Sequence, residues 1–334
     1  MIKIGMYLPI YGGWLPSRKS VKVQADGTYF EKEKDKLPSF DYVKRMSLKA
    51  EKIGIDSLWI PDHMLNPIKG EQAPSLEAWT LASAIAESTK SVIITHTCLC
   101  EAFRYPAVLA KQATTLNEIS NGRFWLSIGA GWFKREYEAY GLPFYCHNSR
   151  VDRAREAIQI IRRLWKENSV TFSGKYYSIT KGVLEPKPDP KPPIWYAGMS
   201  ESARNLISEE ADGWLMKGRS LKETKENIID MNKRLKKKGR KKIEFAMPAL
   251  TFIRDTDKEA KNVVDQITEG YKNIFNKTMV TGLVGSPETV AQKIQRLESI
   301  GINHILLQLT PTFRELQNVE KVFKILKKID SNHS

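Results

Sequence analysis

Cysteine is scarce: the 334 residues hold three, Cys98, Cys100 and Cys146. An odd trio cannot build a disulfide framework and suits a reducing cytoplasm. Cys98 and Cys100 stand too close together for a zinc knuckle, and no second pair completes a site, so no metal is expected. Long apolar runs are missing too. Val92–Thr95 and Ile305–Leu309 fall far short of the ~20 residues of a membrane helix, and MIKIGMYLPI has neither the apolar core nor the cleavage site of a signal peptide. Transmembrane and secreted readings are therefore set aside. A Walker loop, an HExxH helix, a deaminase signature, a Ser-His-Asp order and a G-x-G-x-x-G after the first strand are all lacking.

What is present is positive charge, 53 Lys+Arg against 38 Asp+Glu for a net +15. Much of it lies in Lys217–Lys242, above all LKKKGRKK (Leu235–Lys242), and in Lys321–Lys328. No aromatic residues interleave there and no RNP-like or zinc-finger pattern appears, so nucleic acid is not expected as a partner. Lysines closing a helix complement its C-terminal dipole, and the remaining charge can attract an anionic substrate or cofactor. At 41% hydrophobic and 27% charged residues, the composition is that of a folded globular protein.

Strand and helix patterns alternate along the chain. Strands are predicted at Lys3–Pro9, Ser57–Ile60, Val92–Leu99, Phe124–Ile128, Ile194–Ala197, Gly213–Met216, Ile243–Ile253 and His304–Leu309. Between them fall helices from the Ser39 cap to Ile53, Ser75–Ser88 with Ser75 as N-cap, Pro106–Ile119, Lys134–Tyr140, Arg150–Glu167, Ser200–Glu210, Leu221–Lys238, Asp257–Ile274 and Pro287–Ile300, with Glu315–Ile329 last. Parallel strands need helical crossovers, and eight such units close as an α/β TIM-type (β/α)8 barrel. An open doubly wound sheet is the alternative, and the missing glycine fingerprint counts against it. The reading is one domain over 1–334, with insertions at about 11–36 and 170–193 and a mobile loop at about 275–284. Pro186, Pro188, Pro190, Pro192 and Pro193 hold the end of the second insertion extended.

Functional groups of such a barrel stand at the C-terminal strand ends. Those positions hold Tyr7, Leu8 and Pro9, the Asp62-His63 pair, His96-Thr97-Cys98, Gly129-Ala130-Gly131-Trp132 and Gly198-Met199-Ser200. His63 and His96, on adjacent strands, are either a polar pair for a ring cofactor or acid–base work, or packed structural histidines. His147, His304 and His333 are read as structural or exposed. Gly129 to Gly131 would let backbone approach a flat ring or a phosphate, and a tight turn explains them equally well. Ala197 to Ser202 sets a glycine, two hydroxyls and free N–H groups at a helix N-terminus, either a phosphate site or an ordinary Ser200 cap. The residues alone reach a barrel enzyme with a phosphorylated cofactor.

Several segments carry a resemblance across nearly the whole chain. They include Gly54-Ile-Asp-Ser-Leu-Trp-Ile-Pro-Asp-His63, Phe103-Arg-Tyr-Pro106, Asn121-Gly-Arg-Phe124, Gly129-Ala-Gly-Trp-Phe-Lys-Arg-Glu136, Pro193-Ile-Trp-Tyr-Ala-Gly-Met-Ser200 and Val284-Gly-Ser-Pro-Glu-Thr-Val290. In this order they resemble the bacterial-luciferase-like superfamily of flavin-dependent oxidoreductases. The resemblance implies a barrel binding reduced FMN, or the deazaflavin coenzyme F-420, at its C-terminal mouth. Asp62, Thr97, Cys98, Ala130, Gly131 and Trp132 would then lie near the cofactor, with Gly198, Met199 and Ser200 on its phosphate and a non-prolyl cis peptide at Thr97–Cys98. His63 and His96 are expected as polar partners of the ring, and Arg150 or Lys134 as the group orienting an anion.

The implied activity is a two-component monooxygenase, fed reduced FMN by a flavin reductase, that oxidises a small organic, organosulfur substrate. The alternative is F-420-dependent hydride transfer with His63 beside the hydride acceptor, and a minor one is a non-catalytic flavin-binding relative. Relatives commonly form dimers, so a homodimer or higher homo-oligomer is expected. Ser127 and Val151 depart from the Asn and Tyr usual in sulfone- and nitrilotriacetate-type monooxygenases. Asp62-His63 and Arg150-Val-Asp152 are more like deazaflavin-dependent members, whereas Gly131-Trp-Phe-Lys134 and Leu306-Leu-Gln-Leu-Thr-Pro311 are like the sulfonate and sulfone monooxygenases.

Overall fold

A computed structural model describes residues 2–11, 38–68, 70–270, 282–309 and 312–331. Strand β1 (Lys3–Tyr7) is followed, beyond the first insertion, by α1 (Phe40–Ile53). Ser39 accepts the Tyr42 N–H at its start, and Gly54 ends it in the left-handed conformation, φ 96°, that favours glycine. Next come β2 (Ser57–Ile60), α2 (Ala78–Ser88), β3 (Ile93–His96), β4 (Leu99–Cys100), α3 (Pro106–Ile119), β5 (Leu126–Gly129), α4 (Lys134–Ala139) and α5 (His147–Leu164). A hairpin of β6 (Val170–Ser173) and β7 (Ser178–Gly182) precedes β8 (Ile194–Ala197), α6 (Glu201–Glu210), β9 (Gly213–Leu215), α7 (Leu221–Lys237) and β10 (Glu244–Ile253). The chain continues through α8 (Asp257–Gly270), β11 (Leu283–Gly285), α9 (Pro287–Ser299), β12 (His304–Leu309) and α10 (Thr312–Ser331).

The main sheet is parallel in the order β3-β2-β1-β12-β10-β9-β8-β5-β4, with β11 paired to β10. Its two outermost members, β3 and β4, are consecutive halves of one strand, separated by a cis Thr97–Cys98 peptide bond. β3 pairs with β2 and β4 with β5, while Ile94 exchanges backbone hydrogen bonds with Arg123 and Trp125. The ends of the sheet therefore meet, giving a nearly closed parallel barrel ringed by helices, as the sequence predicts. Among the described residues no helix is long and apolar enough to cross a membrane.

Among the described residues, two cores hold this shape. Inside the barrel, Trp59 and Trp195 meet edge to face at 5.7 Å among Tyr7, Leu215, Ala246 and Leu306. Their bulk demands glycine on adjacent strands. A Cβ at Gly5 would lie 2.8 Å from Trp59 Nε1, and one at Gly213 only 2.2 Å from the Trp195 ring, inside any tolerable contact. The larger core lies between strands and helices and includes Trp79, Ile94 and Phe124.

Helix α2 starts at Ala78 and is capped by Glu77, not Ser75, because the Glu77 carboxylate accepts the Trp79 and Thr80 N–H groups at 3.0 and 2.7 Å. The strand predicted as Val92–Leu99 is broken in two. The insertion at 170–193 contains the antiparallel β6–β7 pair before its prolines, of which Pro186 and Pro190 follow cis bonds. The insertion at about 11–36 lies outside the described residues apart from Tyr11, as does His333. Of the predicted loop at 275–284, residues through 281 are also outside, and its last positions belong to β11.

Candidate active site

A cleft of about 490 Å³ opens at the C-terminal ends of the strands, where backbone leaves the sheet and side chains from several strands converge. Of the residues singled out in the sequence, Tyr7, Asp62, His63, Thr97, Cys98, Gly129 to Trp132, Arg150, Gly198 and Met199 line it, whereas Leu8, Pro9, His96, Lys134 and Ser200 do not. Among the described residues no cluster of His, Cys, Asp or Glu could hold a metal ion.

One wall is built from close backbone packing. Cys98, just past the cis bond, stands against Gly129, where a Cβ would lie 2.3 Å from its sulfur. At Gly131, with φ 72°, a Cβ would lie 2.0 Å from the Tyr137 hydroxyl and 2.7 Å from Cys100 Sγ. Tyr137 in turn donates to the Ala130 carbonyl at 3.2 Å and sits 3.0 Å from Cys100 Sγ. Burial pushes the Cys98 and Cys100 thiols up to about 12. Burial raises the Tyr7 and Tyr137 phenols as well. The wall is thus uncharged at neutral pH, and its thiols are no nucleophiles, which would have to be thiolates.

Asp62 braces this wall. Its carboxylate takes a bidentate pair from Arg104 at 2.8 and 3.0 Å and the Cys100 N–H at 2.8 Å, so the segment beyond the cis bond hangs on it. Arg104 reaches on to Glu77 at 2.7 Å. Burial works to raise the Glu77 carboxyl, but the Thr80 and Trp79 N–H groups and the Arg104 charge outweigh it and hold it down to about 2.

The two strand-end histidines part company. His63 lines the cleft with Nδ1 2.9 and 3.0 Å from the Glu136 oxygens, and Glu136 also accepts the Leu65 N–H at 3.0 Å. The Trp132 ring meets it edge to face at 5.6 Å. His96 is fully buried away from the cleft, stacked on Trp79 at 5.5 Å and 7° with Phe124 at 6.1 Å. Strand residues alternate faces, so Ile94, which packs toward the helices, puts His96 on that same side and Thr97 on the cleft side. Burial lowers the His96 imidazole to about 4, leaving it a neutral packing residue at pH 7 that does not line the cleft.

The start of α5 brings Arg150 and His147 to the same cleft. Arg150, in the first turns of α5, lies with its guanidinium 4.0 Å over the Phe144 ring and donates from Nη1 to the Tyr145 carbonyl. Its Nε is buried with no hydrogen-bond partner among the described residues. His147 is solvent-exposed, as expected, and also lines the cleft from the first turn of α5, which begins at His147 and not at Arg150. Its Nε2 is 2.9 Å from the Ser200 hydroxyl. Ser200 caps α6 by accepting the Ala203 N–H at 3.2 Å, and so stands beside the cleft-lining Gly198 and Met199 rather than on the wall itself. Lys134 points elsewhere, paired with Glu138 at 3.2 Å on an exposed surface. His304, at the other end of the barrel, is bound to Glu244 at 2.7 Å.

Sequence reasoning missed Glu136, Tyr137 and Lys217 as cleft residues. Lys217 follows the end of β9 and was within reach of the strand-end rule. Glu136 and Tyr137 carry no such signal, since their partners His63 and Cys100 are remote in sequence.

A sequence model of the luciferase-like monooxygenase family matches residues 11–304. An FMNH(2)-dependent dimethylsulfone monooxygenase of Pseudomonas putida is 26% identical over 80% of this chain and 82% of its own length. Its counterpart in Pseudomonas fluorescens is 28% identical over 60% of this chain, which spans 64% of that protein. An F420-dependent glucose-6-phosphate dehydrogenase of Amycolatopsis mediterranei is 34% identical, over about half of each chain (51% and 51%). In fold, the crystal structure of long-chain alkane monooxygenase LadA superposes with a TM-score of 0.80 at 19% identity, covering 98% of this chain and 92% of that one. The match spans the barrel and its mouth together, and this chain is an enzyme of the luciferase-like monooxygenase family.

Proposed function

We propose that this enzyme is a two-component monooxygenase that takes reduced FMN from a separate flavin reductase and oxygenates a small organosulfur compound. The observation that carries the reading is that one cleft is lined both by a close-packed wall of neutral side chains and by the Arg150 guanidinium, beside the N-terminus of a helix. Cys98, Cys100 and Tyr137 fill the space that a side chain at Gly129 or Gly131 would need, and Thr97, Cys98, Ala130 and Gly131 together line the cleft with a neutral surface that suits a flat ring. The free Arg150 Nε, His147, and the α6 N-terminus with Ser200 suit a phosphate. A phosphorylated isoalloxazine fits both ends. The long match to the Pseudomonas putida relative supports reduced FMN over the deazaflavin.

In this reading Ala130, Gly131, Thr97 and Cys98 flank the ring, Gly198, Met199, Ser200 and Arg150 hold the phosphate, and Trp132 and Met216 shield the mouth from water. When bound, reduced FMN supplies the electrons and the activation of O2. The protein's own contribution is to orient ring and substrate and to move a proton at His63 Nε2. Titration of tryptophan fluorescence with reduced FMN and with F-420, in parallel, tests the cofactor. Consumption of dimethyl sulfone or an alkanesulfonate with a flavin reductase, FMN, NADH and O2 tests the reaction. Quenching by F-420 and not by reduced FMN, together with oxygen-independent hydride transfer, would replace this reading by the deazaflavin one, which the 34% identity to the Amycolatopsis dehydrogenase favours.

A further inference from the structure

We infer that Glu136 is a positioning residue: it holds the His63 imidazole in the tautomer protonated at Nδ1, so that Nε2 is the nitrogen offered to the cleft. The inference deepens the proposed function and rests on it for its effect on turnover, though not for the tautomer itself.

Glu136 sits on α4, directly after the Gly129–Trp132 turn, and is only 2% exposed. Both carboxylate oxygens lie within 3.0 Å of His63 Nδ1. A carboxylate offers lone pairs and no hydrogen, so the proton they share belongs to Nδ1. In the neutral ring Nε2 is then bare and can accept a proton. The carboxylate is itself fixed, because one oxygen also takes the Leu65 N–H at 3.0 Å. Trp132 at 5.6 Å and Phe133 at 6.2 Å hem in the ring, restricting a flip that would exchange the nitrogens. Asp62, the other acid lining the cleft, is taken up by Arg104 and the Cys100 N–H and does not compete for Nδ1. No hydrogen bond reaches Nε2 from the described residues, and His63 lines the cleft.

Glu136 also ties the Leu65 turn to α4, so the test reads the tautomer directly. The full chain contains five histidines, and selective 15N labelling of them makes a long-range proton–nitrogen correlation spectrum simple, with His63→Gln identifying the His63 signals. Without flavin or substrate, the wild type should show a protonated Nδ1 and a bare Nε2. In Glu136→Gln the amide can donate to Nδ1, and the Nε2-protonated fraction should rise about fivefold, the scale of one hydrogen bond's net contribution. Turnover with reduced FMN and dimethyl sulfone should fall roughly ten- to a hundred-fold, typical of lost outer partners of a histidine, with KM little changed. Glu136→Asp, which keeps an acceptor, should retain the wild-type tautomer and regain most of the turnover.

A wild-type His63 protonated at Nε2, or a tautomer unmoved in Glu136→Gln, overturns the proposal whatever the activity. Should Glu136→Gln not fold, the wild-type and Glu136→Asp spectra decide alone: bare Nε2 in both upholds it, and protonated Nε2 in either overturns it. Because the spectra need no flavin, the predicted tautomers in a protein that fails to bind reduced FMN would uphold the positioning role while removing the proposed function.

Discussion

The surroundings of His63 and of His96 are the instructive pair. Both histidines follow or end neighbouring strands, and both are flanked by tryptophan, yet one faces a cleft with a carboxylate behind it and the other is sealed between Trp79 and Phe124. Strand-end position is shared; side-chain parity is not. A polar residue on the helix-facing side of a barrel strand is solvated by nothing and must be carried neutral. One on the cleft side can remain both anchored and available.

The sharpest way to break this contrast is His63→Gln. On the proposed function, turnover should fall ~10²–10⁴-fold, as for a lost acid–base group, with the melting temperature almost unchanged. A large drop in melting temperature with normal turnover per folded molecule would make His63 a packing residue like His96. The second variant is His96→Phe, read through stability against pH. An exposed imidazole in the unfolded chain takes up a proton below its ordinary value of 6.5, whereas folded His96 resists until about 4. Wild-type stability is therefore complete above that ordinary value and declines as pH falls through the window, by up to about 3 kcal/mol. At pH 5 the decline should be about 2 kcal/mol, and His96→Phe should abolish it in urea melts compared at pH 7 and 5. Equal slopes for variant and wild type would place a proton on His96 in the folded state. Smallest is Ser200→Asp, which sets negative charge at the α6 N-terminus and should weaken reduced-FMN binding about tenfold, ~1.4 kcal/mol. Unaltered affinity by fluorescence titration would move the phosphate elsewhere.

The sequence made the barrel legible because its strands are short apolar runs bounded by turns, and Ser57–Ile60, Ile194–Ala197 and His304–Leu309 form where predicted. It hid what depends on long-range pairing. The β6–β7 hairpin is polar and largely exposed, so no alternation marked it. Glu77 caps α2 although glutamate is not a favoured N-cap type, because Arg104 holds its carboxylate from 27 residues away. In the site, strand-end logic found the wall from Thr97 to Cys98 and from Ala130 to Trp132, but it could not separate His63 from His96, nor supply Glu136, which is 73 residues from its partner. His147 is exposed as expected, but its place at the cleft was hidden because the helix starts three residues earlier than its pattern suggests.

Arg104 connects these two neighbourhoods in a way that bears on redesign. One guanidinium joins Asp62, which suspends the Cys100 backbone at the cleft, to Glu77, which opens the helix bearing Trp79, the lid over His96. Anyone exchanging segments with a relative to alter what the cleft accepts would do well to move Asp62, Glu77 and Arg104 as one cassette. A graft carrying Asp62 without Arg104, or Arg104 without Asp62, would bring a buried charge without its main counterion, and libraries drawn one position at a time would rarely pass through a folded intermediate there.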